Sequence, residues 1–152
     1  MQLNLDPNLI FTNLDFKNKE DLLRFLSGKL LENKYVKPEY QQAIIDRENI
    51  YPTGLPSLGV NIAIPHADNE LVNETTIAIG ILKDSVLFYS MEDPKKELNV
   101  QIVIMLAIKE PHGQIEMLQK VVDIIQNEEL TKKITQTTDK NEILSSLESY
   151  LN

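Results

Sequence analysis

Two histidines, His66 and His112, are the only imidazoles of this chain, and it has no cysteine. Side-chain chemistry near neutral pH therefore falls mainly to these two rings. His66 stands in the run Gly59-Val60-Asn61-Ile62-Ala63-Ile64-Pro65-His66-Ala67-Asp68. An apolar, strand-like stretch is halted there by a proline, which cannot donate to a sheet ladder. The ring is thus expected at the end of a rigid element, and the small Ala67 beside it leaves space for an incoming group. A neutral imidazole can attack phosphorus and hold the phosphoryl group as a labile phosphoramidate. Its ordinary pKa of ~6.5 keeps much of it neutral near pH 7. The plainer alternative is a histidine that merely ends a strand.

Three further residues bear on that chemistry. Arg47, in Ile44-Ile45-Asp46-Arg47-Glu48-Asn49, carries a planar guanidinium suited to clamping phosphoryl oxygens. It could equally be held at the surface by Asp46 or Glu48. Asp68 could orient the His66 ring, repel a second anion, or simply be an exposed loop carboxylate. His112 follows Pro111 where a helix is expected to begin after the most apolar strand. A helix N-terminus attracts anions through its free N–H groups, so His112 could help hold a phosphoryl group on His66, or be an exposed first-turn residue. A two-histidine metal site would need closer ligand spacing, such as His-x-x-x-His. Gly54-Leu55-Pro56-Ser57-Leu58-Gly59 opens like a P-loop but continues Val60-Asn61 where Lys and Ser/Thr are required. No dinucleotide fingerprint is present either, so any phosphoryl donor is expected not to be a nucleotide held by this chain.

Composition narrows the function classes. Fifteen basic against 23 acidic residues give a net charge of −8, with no basic face for nucleic acid. That acidity implies a well-solvated surface or one that steers a basic partner. No stretch reaches the ~18–20 apolar residues of a membrane span, so direct membrane insertion is not expected. The opening Met1-Gln2-Leu3-Asn4-Leu5-Asp6 lacks the basic and apolar regions of a signal peptide. Without cysteine there are no disulfides or thiolate metal sites, which fits the cytoplasm.

Positioning His66 and Arg47 requires a scaffold, and the hydrophobic pattern supplies one. Residues 18–33 carry Leu22, Leu23, Leu26, Leu30 and Leu31 at helical spacing, with Asp15 or Asn18 as cap. A second helix is expected from Pro38, bearing Ala43, Ile44 and Arg47. Residues 50–59, with Pro52, Gly54, Pro56 and Gly59, read as loop. Strands are expected over Val60–Ile64, Thr76–Leu82 and Val100–Ile108, with a short edge strand near Val86–Tyr89 and another near Leu9–Thr12. The third is almost continuously apolar, as for a strand covered on both faces. The last third returns to helix, with one stripe at Ile115, Leu118, Val122 and Ile125 and another at Ile143, Leu144, Leu147 and Leu151. With no repeat or linker, one domain over residues 1–152 is expected. Its fold class is α/β, a three-layer α/β/α sandwich with a mixed β-sheet.

The segment Arg47-Glu48-Asn49-Ile50-Tyr51-Pro52-Thr53-Gly54-Leu55-Pro56, a spacer, then Ile62-Ala63-Ile64-Pro65-His66-Ala67-Asp68 resembles the IIA component of the bacterial sugar phosphotransferase system. The resemblance is to the fructose/mannitol-type IIA superfamily, and Pro-Thr-Gly-Leu-Pro is closest to its galactitol-specific branch. It covers nearly the whole chain, as a single EIIA type-2 domain. It implies the same α/β/α sandwich, no metal and no bound cofactor. The histidine-containing phosphocarrier protein would phosphorylate His66 at Nε2. His66 would pass the group to a cysteine of the cognate IIB component, and the membrane IIC component would take up the sugar, here galactitol. Arg47 matches the family's arginine. Mannitol-type members carry a second active-site histidine, and that position aligns with Gln114 rather than His112. Thr53, Leu55, Asp68, His112 and Gln114 are the further candidate contacts to the phosphoryl group or to partners, with Leu55, Pro56 and Leu58 expected as an apolar docking surface. Two alternatives share the fold: a regulatory nitrogen-type IIA acting through partner binding, and a non-catalytic interaction module like the cytoplasmic domain of anion exchangers. An intact Arg47 and His66 argue against the module.

Overall fold

The computed structural model describes residues 3 and 5–152. Five strands form one sheet in the order β1-β4-β5-β3-β2. They are β1 (Ile10–Leu14), β2 (Gly54–Leu55), β3 (Asn61–Ala63), β4 (Thr76–Tyr89) and β5 (Glu97–Ala107). β1 runs parallel to β4 and β3 parallel to β5, whereas β4–β5 and β2–β3 are antiparallel. The sheet is therefore mixed, as expected.

Side-chain alternation explains the two helical layers. In β4 and β5, Ile77, Ile79, Ile81, Ile102, Ile104 and Leu106 face one core, while Ala78, Leu82, Phe88, Val103, Met105 and Ala107 face the other. Both faces are apolar, so both must be covered. Helices α1 (Lys19–Glu32) and α2 (Tyr40–Ile50) cover the second face. Helices α3 (Gly113–Ile125), α4 (Glu128–Gln136) and α5 (Lys140–Leu151) cover the first.

α1 starts where Asn18 accepts a hydrogen bond from the Asp21 N–H (2.9 Å), which settles the cap in favour of Asn18 over Asp15. Leu22, Leu26 and Leu30 are buried along it. α2 begins at Tyr40, two residues after Pro38, because the intervening chain is still completing a turn from Lys37. Three expectations change. The edge strand at Val86–Tyr89 is the second half of β4, paired with β5 from Val86↔Val100 to Tyr89↔Glu97. A register shift between Ile81 and Val86 exposes Lys83, Asp84 and Ser85 and breaks the apolar pattern there. Residues 50–59 are not all loop, since β2 pairs with β3 through Gly54↔Ala63 and Leu55↔Ile62. Gly54 is required at that point, because a Cβ would lie 2.5 Å from the Tyr89 carbonyl oxygen. Finally, α3 buries Met117, Val121 and Ile124 rather than the stripe beginning at Ile115, and Ile115 is 60% exposed. Two adjacent stripes of that helix are apolar, so periodicity alone left its rotation open by one residue.

Candidate functional site: a histidine cleft between two helical layers

β3 stops at Ala63, but the chain does not leave the sheet at once. Pro65 has no N–H to give, yet its carbonyl accepts from Leu106 N–H (2.9 Å), so His66 lies opposite Leu106 of β5. The Leu106 carbonyl in turn accepts from the buried Tyr40 hydroxyl (2.6 Å). One residue beyond the ring, the Ala67 carbonyl accepts from the Gln114 side-chain amide (2.8 Å). The backbone on both sides of His66 is thus fixed by groups from β5 and α3.

His66 Nδ1 lies 2.9 Å from the Ile64 carbonyl oxygen. A carbonyl only accepts, so the neutral ring carries its proton on Nδ1 and leaves the Nε2 lone pair free. The ring is partly buried, and burial is the main force lowering its pKa. The Ile64 bond opposes that, the Arg47 charge adds to it, and Asp68 weakly opposes it. The net result favours a neutral imidazole at neutral pH.

Arg47 occupies the last turn of α2. Its guanidinium carbon lies 5.5 Å from the centre of the Tyr51 ring, and its Nε is buried without a hydrogen-bond partner. An unpaired buried donor is costly, and a bound anion would relieve that cost. Next to it, Glu48 is only 1% exposed. Glu48 Oε2 accepts the Thr53 N–H and Oε1 accepts the Thr53 hydroxyl, both at 2.7 Å. Burial outweighs these bonds and pushes the Glu48 carboxyl up to about 7.

These side chains meet in a cleft of about 340 Å³. Arg47, Thr53, His66 and Gln114 line it together with Tyr51, Pro52, Ile64, Met91, Ile115 and Leu118. The lining thus mixes a few polar groups with apolar ones, of which Tyr51 and Ile115 are well exposed, an arrangement suited to an anion handed over between proteins.

Residues 4–150 match the family "Phosphoenolpyruvate-dependent sugar phosphotransferase system, EIIA 2". The chain belongs to that family. This IIA domain is 33% identical over 146 residues to the PTS system mannitol-specific EIICBA component of Vibrio cholerae serotype O1. That match covers 94% of the chain and 21% of the relative, so the chain spans about a fifth of the relative's length. The crystal structure of IIA mannitol from Escherichia coli superposes with a TM-score of 0.79 at 29% identity, covering 95% of this chain and 99% of that one. The complex of enzyme IIA-mannitol with phosphorylated enzyme IIB-mannitol, also from Escherichia coli, gives 0.80 at 28% identity, covering 97% and 99%.

Within the IIA domain the remaining expected residues lie apart from the cleft or differ in what they offer. Thr53 lines the cleft, but its hydroxyl already donates to Glu48. Asp68 is exposed and outside the cleft. His112 caps α3 in a left-handed conformation (φ 67°) without a side-chain cap bond, and it too is exposed and outside the cleft. Gln114, two residues further on, is the polar α3 residue that lines the cleft. Leu55 corrects an expectation: it is only 7% exposed and packs into the α3–α5 core, because β2 pairing turns it inward. Leu58, though 99% exposed, does not line the cleft. The apolar rim instead comes from Tyr51, Met91, Ile115 and Leu118, of which Tyr51 (64%) and Ile115 are well exposed. Glu48 was missed as a site residue. Its signal was present in the Tyr40–Ile44–Glu48 spacing, which puts a carboxylate on the buried stripe of α2. Among the described residues no cluster of three or more His, Asp or Glu could hold a metal ion, and no helix is long and apolar enough to cross a membrane.

Proposed function

We propose that this IIA domain carries a phosphoryl group on His66 Nε2, receiving it from the histidine-containing phosphocarrier protein and passing it to a cysteine of a cognate IIB component. The observation that carries this reading is the pairing in one cleft of an imidazole with Nδ1 engaged and an arginine with an unpartnered buried Nε. In the first step the Nε2 lone pair attacks phosphorus as the donor's P–N bond breaks. In the second the IIB thiolate attacks, the bond to Nε2 breaks, and the imidazole is restored. Arg47 offers its donors to the oxygens that gather charge on the way. The IIA–IIB complex among the relatives supports the onward direction.

The receiving IIB would act with a membrane IIC component on a sugar alcohol entering the cell, and we place the IIA domain in the cytoplasm as one unit. Mannitol-specific relatives favour mannitol as that hexitol, in place of the galactitol suggested by Pro52–Pro56. The exposed rim residues Tyr51 and Ile115 would meet both partners in turn, through a contact small enough to release quickly.

The test is phosphotransfer from radiolabelled phosphoenolpyruvate through the two general phosphotransferase proteins. An acid-labile label on His66 that then moves to a mannitol IIB supports the proposal. A chain that stays unlabelled, or a label that never leaves it, overturns it.

A further inference from the structure

β2 and β3 should continue their ladder one residue beyond Gly54↔Ala63, to Thr53 opposite Ile64. Directly opposed residues at such a rung exchange two hydrogen bonds. Only one of them forms. The Ile64 N–H donates to the Thr53 carbonyl (3.3 Å), but the Thr53 N–H turns away and donates to Glu48 Oε2 (2.7 Å). The Ile64 carbonyl is left without its ladder partner, and that is the carbonyl that receives His66 Nδ1–H (2.9 Å). A carbonyl oxygen shared by two donors holds each more weakly, and the carboxylate removes one of them.

We propose that Glu48 is a positioning residue for His66: by taking the Thr53 N–H out of the ladder it reserves the Ile64 carbonyl for the imidazole, and so selects the tautomer that presents Nε2. Several observations converge on this. Glu48 lies on the buried stripe of α2, where a charged side chain is rare unless engaged. Both of its oxygens are engaged by one residue, so Thr53 is gripped at its amide and its hydroxyl together. A bond from an N–H to a carboxylate is stronger than one to a neutral carbonyl, which explains why the ladder gives way. The control is geometric, since the N–H and C=O of Thr53 belong to different peptide groups. The importance of the selected tautomer for phosphoryl transfer rests on the function proposed above, but the tautomer itself does not.

The experiment reads the His66 ring by ¹⁵N NMR in the unphosphorylated protein at pH 8. Wild type should show the Nδ1–H form predominating. Glu48→Gln should keep it, because the amide oxygen still accepts the Thr53 N–H while the amide nitrogen donates to the Thr53 hydroxyl. Glu48→Met has neither group, so the Thr53 N–H should return to Ile64 and the Nε2–H form should rise to a comparable population. Phosphorylation by acetyl phosphate should then slow by about twofold, in proportion to the fraction of the ring that still presents Nε2. Should Glu48→Met not fold, Glu48→Asp keeps the carboxylate but withdraws it by one methylene, and should shift the tautomer the same way. A folded Met or Asp variant with an unchanged Nδ1–H population, or a Gln variant that loses it as fully as Met, overturns the proposal. A tautomer that follows Glu48 in a protein that never accepts phosphate sinks the carrier reading and leaves this one standing.

Discussion

Pro65-His66 and Pro111-His112 are the same dipeptide, each lying beyond the end of one of two neighbouring parallel strands, β3 and β5. Their surroundings are opposite. β5 runs on past the last rung of β3, so the chain after Ala63 still has a neighbour, and His66 comes to rest beside Leu106. Its ring is partly buried and its Nδ1 is bonded. His112 follows β5 by five residues, past its last rung with β4 at Ala107. It has an exposed side chain and a left-handed backbone that opens α3. What sets the surroundings of the two histidines apart is therefore the stagger of the strands beneath them, and the local motif does not decide it.

The largest expected effect tests that comparison directly. His66→Ala should accept no acid-labile phosphate while keeping its fold, and His112→Ala should label at close to the wild-type rate. Labelling with phosphoenolpyruvate and mass mapping of the modified peptide gives the answer. A His112→Ala protein that cannot be labelled would mean that strand stagger is the wrong criterion.

Next comes Arg47, which sharpens the contrast because its charge acts on His66. Loss of a donor that meets developing charge typically costs ~2.7–4 kcal/mol in the transition state. Arg47→Ala should thus transfer about 100- to 1,000-fold more slowly. Its melting temperature should change little, since the cost of a buried Nε without a partner offsets the guanidinium's contact with the Tyr51 ring. Early melting or wild-type transfer would each show that the guanidinium has a structural role instead.

The uneven legibility of the molecule follows from how local each signal is. α1 was readable because Leu22, Leu26 and Leu30 repeat at helical spacing behind a capping Asn18. β5 was readable because its apolar run is short for a helix and rich in Val and Ile. Arg47 and His66 were singled out through the family resemblance of their segments, since on chemistry alone each also fitted a surface or strand-end role. β2 was hidden because two residues framed by Pro52 and Pro56 carry no periodicity, and only pairing with β3 makes them a strand. The same pairing turned Leu55 inward. The rotation of α3 was hidden because both of its candidate stripes are apolar: one is needed by the core and the other by the rim of the cleft. Glu48 was hidden because a glutamate beside an arginine reads as a surface pair, until the buried stripe of α2 is recognised.

Glu48 gives the third prediction, a difference in the ground beneath the two histidines. Its carboxyl is raised from 4.5 to about 7 in the folded protein, with burial first among the causes and Thr53, Lys19 and Arg47 opposing it. Folded Glu48 therefore holds its proton over a range where the unfolded chain has already released it. The contribution of Glu48 to stability should fall as pH rises from about 4.5 to about 7, and the loss should be complete above that window. At ~1.36 kcal/mol per unit the change is roughly 3 kcal/mol. Glu48→Gln has no such proton, so its stability relative to wild type should improve by that amount between pH 4 and pH 8 in urea titrations. A pH-independent difference would show that the carboxyl is not held protonated.

The smallest effect concerns His112, whose role in the comparison is carried by its backbone. A non-glycine residue in the left-handed region costs ~1–2 kcal/mol, part of which glycine recovers while losing some through the freedom it gains when unfolded. His112→Gly should then be stabilised by up to ~1 kcal/mol, a rise in melting temperature of about 2–4 °C for a chain of this size. Transfer through His66 should be unchanged, because Gln114 rather than His112 holds the Ala67 carbonyl next to His66. A stabilised variant with slowed transfer would mean that the His112 ring reaches the phosphoryl group when a partner docks. The two Pro-His sites would then be joined in function despite their separation in the free protein.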